Sequence, residues 1–167
     1  TRDETVAPAV MADLKRFYLA FLPAASVVMK NDLPASHTFV TEDFGPACDR
    51  QGEHFLNDCD FDLAGAILGT LAGDTRGRLP NPRAASARPT TEFDQGEFVT
   101  GHAMLATGRI YLPAGCTPQD RCGLHVAFHG CKQNTATVGQ DFTDHAGYNR
   151  WAETNRIVVL YPQAAKS

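Results

Sequence analysis

Hydrophobic residues recur at helical spacing in three stretches of the chain and form short uninterrupted runs in four others. Val10, Met11, Leu14, Phe17, Tyr18, Phe21 and Leu22 repeat every three or four positions. With Pro8 at the start and Pro23 at the end, they predict a helix. Phe61, Ala64, Ile67, Leu68 and Leu71 share one face of a second helix over Phe61 to Gly73, with Asp60 placed to cap it. A third helix, Phe142 to Asn155, offers Phe142, Ala146, Tyr148, Trp151 and Ala152 for packing. Strands are expected from Ser26 to Leu33, within Phe98 to Pro113 (most clearly Arg109 to Pro113), from Leu124 to His129, and from Arg156 to Pro162. The last is apolar throughout its centre, as a strand buried on both faces requires. Strand, helix and strand in that order from Leu124 to Pro162 indicate an α/β fold, with a mainly parallel sheet, flanking helices and a right-handed crossover. Asp74 to about Thr91 holds Pro80, Pro82, Pro89, several Arg and no apolar period, and reads as a surface connection.

Composition narrows the function. The 167 residues are 43% hydrophobic and 20% charged, which fits one globular domain. A net charge of -4 without a Lys/Arg cluster gives no footprint for nucleic acid. No apolar run reaches the roughly 20 residues of a membrane span, so no membrane partner is expected. Cys48 and Cys59 bracket one hydrophilic loop, and Cys116 and Cys122 another, so each pair is placed for a disulfide and points to an oxidising compartment. Cys48, His54 and Cys59 also allow a metal site, but a fourth ligand at usual spacing is missing. Disulfide closure is therefore the preferred reading, and no metal is expected. Cys131 is left over, as a free buried thiol or the partner of a cysteine elsewhere.

The chemistry concentrates at Leu124-His125-Val126-Ala127-Phe128-His129-Gly130-Cys131-Lys132-Gln133-Asn134, an apolar strand that breaks at His-Gly into a polar turn. Serine esterases stabilise a tetrahedral oxyanion at such a junction, where each fixed N–H donor lowers the barrier by about 2.7 to 4 kcal/mol. An oxyanion site needs a nucleophile, yet none of Ser26, Ser36, Ser86 and Ser167 sits in a Gly-x-Ser-x-Gly elbow. The chain starts at Thr1 and ends just past an apolar strand, so it reads as part of an enzyme cut at both ends. Asp3, in a turn before a helix, and His37, in a turn after a strand, are the acid and base candidates of a Ser-His-Asp triad. Taken singly, Asp3 fits a helix cap and His37 a solvated loop residue. Their order gives them weight: common hydrolases run oxyanion strand, Ser, acid, His. A cyclic rotation of that order places the serine before Thr1.

Two further residue patterns invite chemistry and carry less. His125 and His129 share a strand face but stand roughly 13 Å apart, too far for one ion, so structural hydrogen bonding is expected of both. Trp151 faces Tyr148 and Ala152 on a helix, where core packing outweighs a substrate platform. His54, His102 and His145 lack an acidic or metal partner at recognisable spacing.

Thr1 to Val6, Ala35-Ser36-His37-Thr38-Phe39, Leu124 to Asn134, Gly147 to Asn155 and Ile157 to Gln163 resemble the extracellular short-chain-length polyhydroxyalkanoate depolymerases, most closely the circularly permuted catalytic-domain type. The resemblance implies an α/β-hydrolase fold, secretion, no cofactor, and hydrolysis of poly(3-hydroxybutyrate) esters by a Ser-His-Asp triad. It assigns Asp3 as acid, His37 as base and the Cys131 backbone N–H as one oxyanion donor, the second coming from the residue after the serine. The family's Trp-rich segment after the last strand is not among these residues. The expected organisation is one catalytic domain, with 1–73 as the acid/base half, 74–97 as connection and 98–167 as the oxyanion-strand half. A feruloyl or acetylxylan-type esterase is the enzymatic alternative, and a non-catalytic polymer-binding module on a hydrolase scaffold is the other. The isolated chain is expected to be inactive.

Overall fold

The computed structural model describes residues 2–76, 79–82, 88–98 and 103–165. Thr1, Ser86, His102 and Ser167 lie outside the described residues, as does the middle of the Pro-rich connection. The chain divides into two compact units, Thr1–Phe61 and Asp62–Ser167. This division falls before the second helix, ahead of the 73/74 boundary expected from sequence.

In the first unit, α1 (Pro8–Leu19) forms where the apolar period lies. Pro8 occupies the first turn, where its missing N–H has no intrahelical partner to lose. None of the α1 residues is buried, and Val10 and Phe17 are more than half exposed. The strand expected from Ser26 to Leu33 does not form: Ala24–Ser26 is a 3-10 turn and the rest runs unpaired. A strand needs a ladder partner, and Val28 stands 82% exposed with none. Two short strands, β1 (Phe39–Thr41) and β2 (Leu56–Asp58), pair in parallel instead. Their cohesion comes from a polar centre. Asn57 is fully buried, donates from Nδ2 to the carbonyls of Ala47 (2.9 Å) and Arg50 (2.5 Å), and accepts at Oδ1 from Thr38 Oγ1 (2.9 Å). Cys48 and Cys59 form a disulfide across the intervening loop.

The second unit holds α2 (Leu63–Arg76), β3 (Thr91–Asp94), β4 (Thr107–Tyr111), β5 (Gly123–Val126), α3 (Thr135–Val138), α4 (Asp141–His145), α5 (Tyr148–Asn155) and β6 (Ile157–Tyr161). The sheet order is β3-β4-β6-β5, with β5 and β6 parallel and the other two pairings antiparallel. The architecture is α/β, but among the described strands this sheet is mixed rather than mainly parallel. The reason is that β3 and β4 form a hairpin-like pair, hidden in the sequence by the polar Thr91-Glu92-Phe93-Asp94 edge.

Local chemistry explains the other departures. Asp62, not Asp60, caps α2 by accepting the Gly65 N–H (2.8 Å), while Asp60 takes a left-handed conformation at φ 51. The third helix breaks into α4 and α5 at Gly147, whose φ of 93 suits glycine and ends a right-handed turn. The helices α2 and α5 meet at Gly65, where an added Cβ would lie 2.6 Å from the Trp151 ring. Trp151 Nε1 donates to Asp62 Oδ2 (2.6 Å), so this ring is a packing and bonding element. Cys116 and Cys122 form the second disulfide, in the loop before β5.

Candidate active site

Asp3 follows Arg2, whose N–H donates to the Ala35 carbonyl (2.8 Å) and so holds the N-terminal turn beside the segment carrying His37. The two carboxylate oxygens of Asp3 have separate tasks. Oδ1 accepts the backbone N–H groups of Thr5 (2.9 Å) and Val6 (2.8 Å), and Oδ2 faces His37 Nδ1 at 3.0 Å. Asp3 is not a helix cap, since α1 starts at Pro8 after an Ala7 cap with no side-chain bond. Partial burial pushes the Asp3 carboxyl upward, but the Val6 N–H, the His37 ring and the Thr5 N–H together outweigh it and hold the group below its ordinary value. Asp3 is thus an anion at neutral pH, and because a carboxylate only accepts, Oδ2 places a proton on His37 Nδ1.

His37 sits before β1, not after a strand as the sequence reading expects, because Ser26 to Leu33 is not one. Its neighbours in the chain are fixed. Ser36 N–H donates to the Cys48 carbonyl (3.0 Å), Ser36 Oγ to the Arg50 carbonyl (2.8 Å), and Thr38 Oγ1 to Asn57. Ser36 is buried in this role and is no nucleophile. The Phe55 ring stands edge-on to the imidazole at 6.2 Å. His37 remains 39% exposed, and its Nε2 makes no hydrogen bond to a described residue. An imidazole oriented at Nδ1 by a carboxylate and open at Nε2 has the geometry that a general base requires.

In the second unit, the turn after β5 is held on several sides. Gly130 N–H donates to Gln133 Oε1 (2.9 Å), and the Gln133 N–H returns to the Gly130 carbonyl (3.1 Å). A Cβ at Gly130 would meet that Gln133 oxygen at 2.7 Å, so a side chain there would displace the Gln133 amide from this contact. Lys132 is left-handed at φ 65, and the Cys131 N–H makes no hydrogen bond to a described residue. Asn134 Oδ1 caps α3 by accepting the Thr137 N–H (3.0 Å). Cys131 is exposed, not buried, and forms no disulfide with a described residue. A cleft lined by His129, Gly130, Cys131, Lys132, Asn134, Ala164 and Ala165 opens here.

The remaining candidates resolve on geometry. The Cys48 and Cys59 sulfurs are bonded to one another, so they are not thiolate ligands with His54. His125 differs from expectation: its ring packs on Tyr148 at 4.9 Å, and its buried Nε2 has no hydrogen-bond partner. Burial lowers its pKa, favouring the neutral ring that this packing tolerates. His129 bonds to the turn and to the segment after β6 through separate nitrogens. Sequence reasoning missed the buried amides Asn57, Gln133 and Gln163. Their signal is an amide placed against strand-like apolar residues, as in Leu56-Asn57 and Tyr161-Pro162-Gln163.

No family model matches the chain. Poly(3-hydroxybutyrate) depolymerase of Delftia acidovorans is 46% identical over 170 residues, covering 99% of this chain and 33% of the relative. Polyhydroxybutyrate depolymerase of Talaromyces funiculosus is 35% identical over 166 residues, covering 97% of this chain and 48% of the relative. The crystal structure of PHB depolymerase from Penicillium funiculosum superposes with a TM-score of 0.87 at 34% identity, covering 97% of this chain and 51% of that one. A structure of PHB depolymerase complexed with R3HB trimer matches equally, with a TM-score of 0.87. The chain therefore spans 33% to 51% of the length of these proteins. Along almost all of its own length it is similar to these poly(3-hydroxybutyrate) depolymerases.

Proposed function

We propose that these residues are part of a secreted polyesterase that hydrolyses poly(3-hydroxybutyrate) or a related polyhydroxyalkanoate by a Ser-His-Asp mechanism. The observation that carries the reading is the Asp3–His37 pair at 3.0 Å with Nε2 left open. In this mechanism a serine outside these residues attacks the ester carbonyl while His37 Nε2 takes its proton. Asp3 keeps Nδ1 protonated and balances the positive charge that forms on the ring. The Cys131 N–H donates to the oxyanion, and His37 returns the proton to the departing alcohol. No cofactor enters.

The depolymerase names of the relatives, and the R3HB trimer complexed with one of them, support the polyester as substrate. The two disulfides suit an oxidising, extracellular site of action. No helix among the described residues is long and apolar enough to cross a membrane. We place the residues in a single, circularly permuted α/β-hydrolase catalytic domain, with the serine elbow preceding Asp3 in chain order.

His37→Ala in the intact enzyme abolishes clearing of a poly(3-hydroxybutyrate) suspension while circular dichroism stays unchanged. Retained clearing overturns the assignment. The 167-residue chain alone takes up no serine-directed phosphonate label, and measurable labelling would place a nucleophile within it. Release of ferulate in place of 3-hydroxybutyrate would favour the feruloyl-esterase alternative.

A further inference from the structure

Gly130 C=O and Cys131 N–H belong to one peptide unit, so whatever holds the carbonyl also aims the N–H. Two donors converge on that carbonyl: His129 Nδ1 at 2.8 Å and the Gln133 N–H at 3.1 Å. The other ring nitrogen, His129 Nε2, accepts the Ala164 N–H at 3.0 Å. A backbone N–H only donates and a carbonyl only accepts, so these partners require a neutral His129 protonated at Nδ1. Both nitrogens are then occupied within the chain.

The far anchor is itself fixed. Ala164 C=O accepts from Asn134 Nδ2 (2.8 Å), and Gln163 Oε1 accepts the Thr135 N–H (2.8 Å). Gln163, 1% exposed, donates its own N–H to Gln95 Oε1 (2.8 Å), and Gln95 Nε2 donates back to the Gln163 carbonyl (3.0 Å). The segment leaving β6 thus grips the turn after β5 at His129, Asn134 and Thr135.

We propose that His129 is a positioning residue: its Nδ1–H pins and polarises the Gly130–Cys131 peptide, so that the Cys131 N–H points as a strengthened donor. Hydrogen bonds in series reinforce one another, and a carbonyl that accepts two of them makes the N–H of the same amide a better donor. The same bonds exclude His129 from giving a proton to substrate, since Nδ1–H is spent on Gly130 and Nε2 carries none. The inference rests on the reading of Cys131 N–H as an oxyanion donor, and it adds the residue that sets this donor's direction and strength.

Isosteric variants separate the two halves of the device. The Asn amide nitrogen falls where Nδ1 lies and can still donate to Gly130 C=O, while the Gln amide oxygen falls where Nε2 lies and can accept only from Ala164. In the intact enzyme, H129A lowers kcat on a soluble 3-hydroxybutyrate ester by about tenfold or more, short of the hundredfold to thousandfold expected for deleting an oxyanion donor outright. KM stays unchanged, H129N restores most of kcat, and H129Q does not. Rescue by H129Q in place of H129N, or a KM effect without a kcat effect, overturns the proposal. A second measurement uses the 167-residue chain itself. Long-range 15N spectra show His129 as the Nδ1–H tautomer, and the Cys131 amide proton moves upfield in H129A and returns in H129N. An Nε2–H tautomer, or an unmoved Cys131 amide, overturns the proposal whether or not the intact enzyme proves to be an esterase. Loss of the esterase reading alone leaves these spectra intact.

Discussion

Asp3→Asn tests the pair on which the proposed mechanism depends, and the hydrogen bonds around the carboxylate dictate its outcome. The Thr5 and Val6 N–H groups both point at Oδ1, so the position they face must remain an acceptor. In the variant the amide oxygen therefore stays there, and the amide nitrogen takes the Oδ2 position, 3.0 Å from His37 Nδ1. Two N–H donors cannot share that contact. His37 responds by moving its proton to Nε2, which removes the lone pair that must receive the serine proton. A neutral-tautomer loss of this kind costs about 10⁴ in kcat, or about 5.5 kcal/mol at 1.36 kcal/mol per decade. The folding cost is smaller, since a charge-assisted hydrogen bond gives way to a neutral one, worth about 1 kcal/mol. Activity and stability therefore separate. Initial rates on a soluble 3-hydroxybutyrate ester measure the first in the intact enzyme, and urea unfolding measures the second. A variant within tenfold of the parent rate, or one whose His37 remains protonated at Nδ1 in 15N spectra, refutes the reasoning.

Other perturbations read other parts of the structure. The folded Asp3 carboxyl is held below its ordinary 3.8, so the unfolded chain binds its proton first as pH falls. The stability it contributes is therefore fully present above about pH 4 and is lost as pH drops through the lower, folded value. The gap in unfolding free energy between parent and D3N narrows on acidification below pH 4, and a gap that is constant from pH 6 to pH 3 contradicts this. Removing the Cys48–Cys59 disulfide, whose cysteines are 11 apart, costs about 3 kcal/mol by loop entropy. Because Ser36 N–H bonds the Cys48 carbonyl, hydrogen exchange at Ser36 accelerates as well; unchanged protection there would uncouple the loop from the His37 segment. Gly65→Ala improves helix propensity by about 1 kcal/mol yet places a methyl 2.6 Å from the Trp151 ring and Asp62 Oδ2. A net loss of about 1 to 3 kcal/mol follows from overpacking, and thermal denaturation showing a gain would mean that the α2–α5 contact yields freely.

Elements with long apolar periods were legible in the sequence, and those made by side-chain bonding were not. The α1 and α2 helices and β6 lie close to where periodicity puts them, because each carries enough apolar residues to set one face. The β1, β2 and β3 strands have three or four residues each and hold polar ones such as Asn57, Asp58, Thr91 and Glu92, so no period of two can emerge. Residue type and chain order singled out Asp3 and His37, which lie 3.0 Å apart, and cysteine spacing found the disulfides. What spacing could not supply is direction. That one Asp3 oxygen serves the backbone and the other the imidazole depends on a turn closing at Thr5 and Val6, which leaves no mark on composition.

Uncharged amide side chains help to hold both proposed catalytic turns, and the chemistry gives a reason. Asn57 binds the segment around His37, while Gln133, Asn134 and Gln163 bind the turn around Cys131. An amide donates and accepts at once, so one buried residue satisfies several orphaned backbone groups that short strands leave unpaired. It also carries no net charge. A buried Asp or Lys at position 57 or 163 would impose a field on an imidazole that must gain a positive charge, or on an oxyanion that must form, in a region where such fields are weakly screened. Asn57→Asp keeps much of the shape but turns donors to Ala47 and Arg50 carbonyls into repelling acceptors. It should cost more than Asn57→Ala in stability, because leaving a carbonyl unpaired costs about 1 to 3 kcal/mol, whereas opposing it with a buried anion adds repulsion to that loss. Urea unfolding of the two variants decides the matter, and an Asp variant as stable as the parent would mean that position 57 fills space without directing the loop.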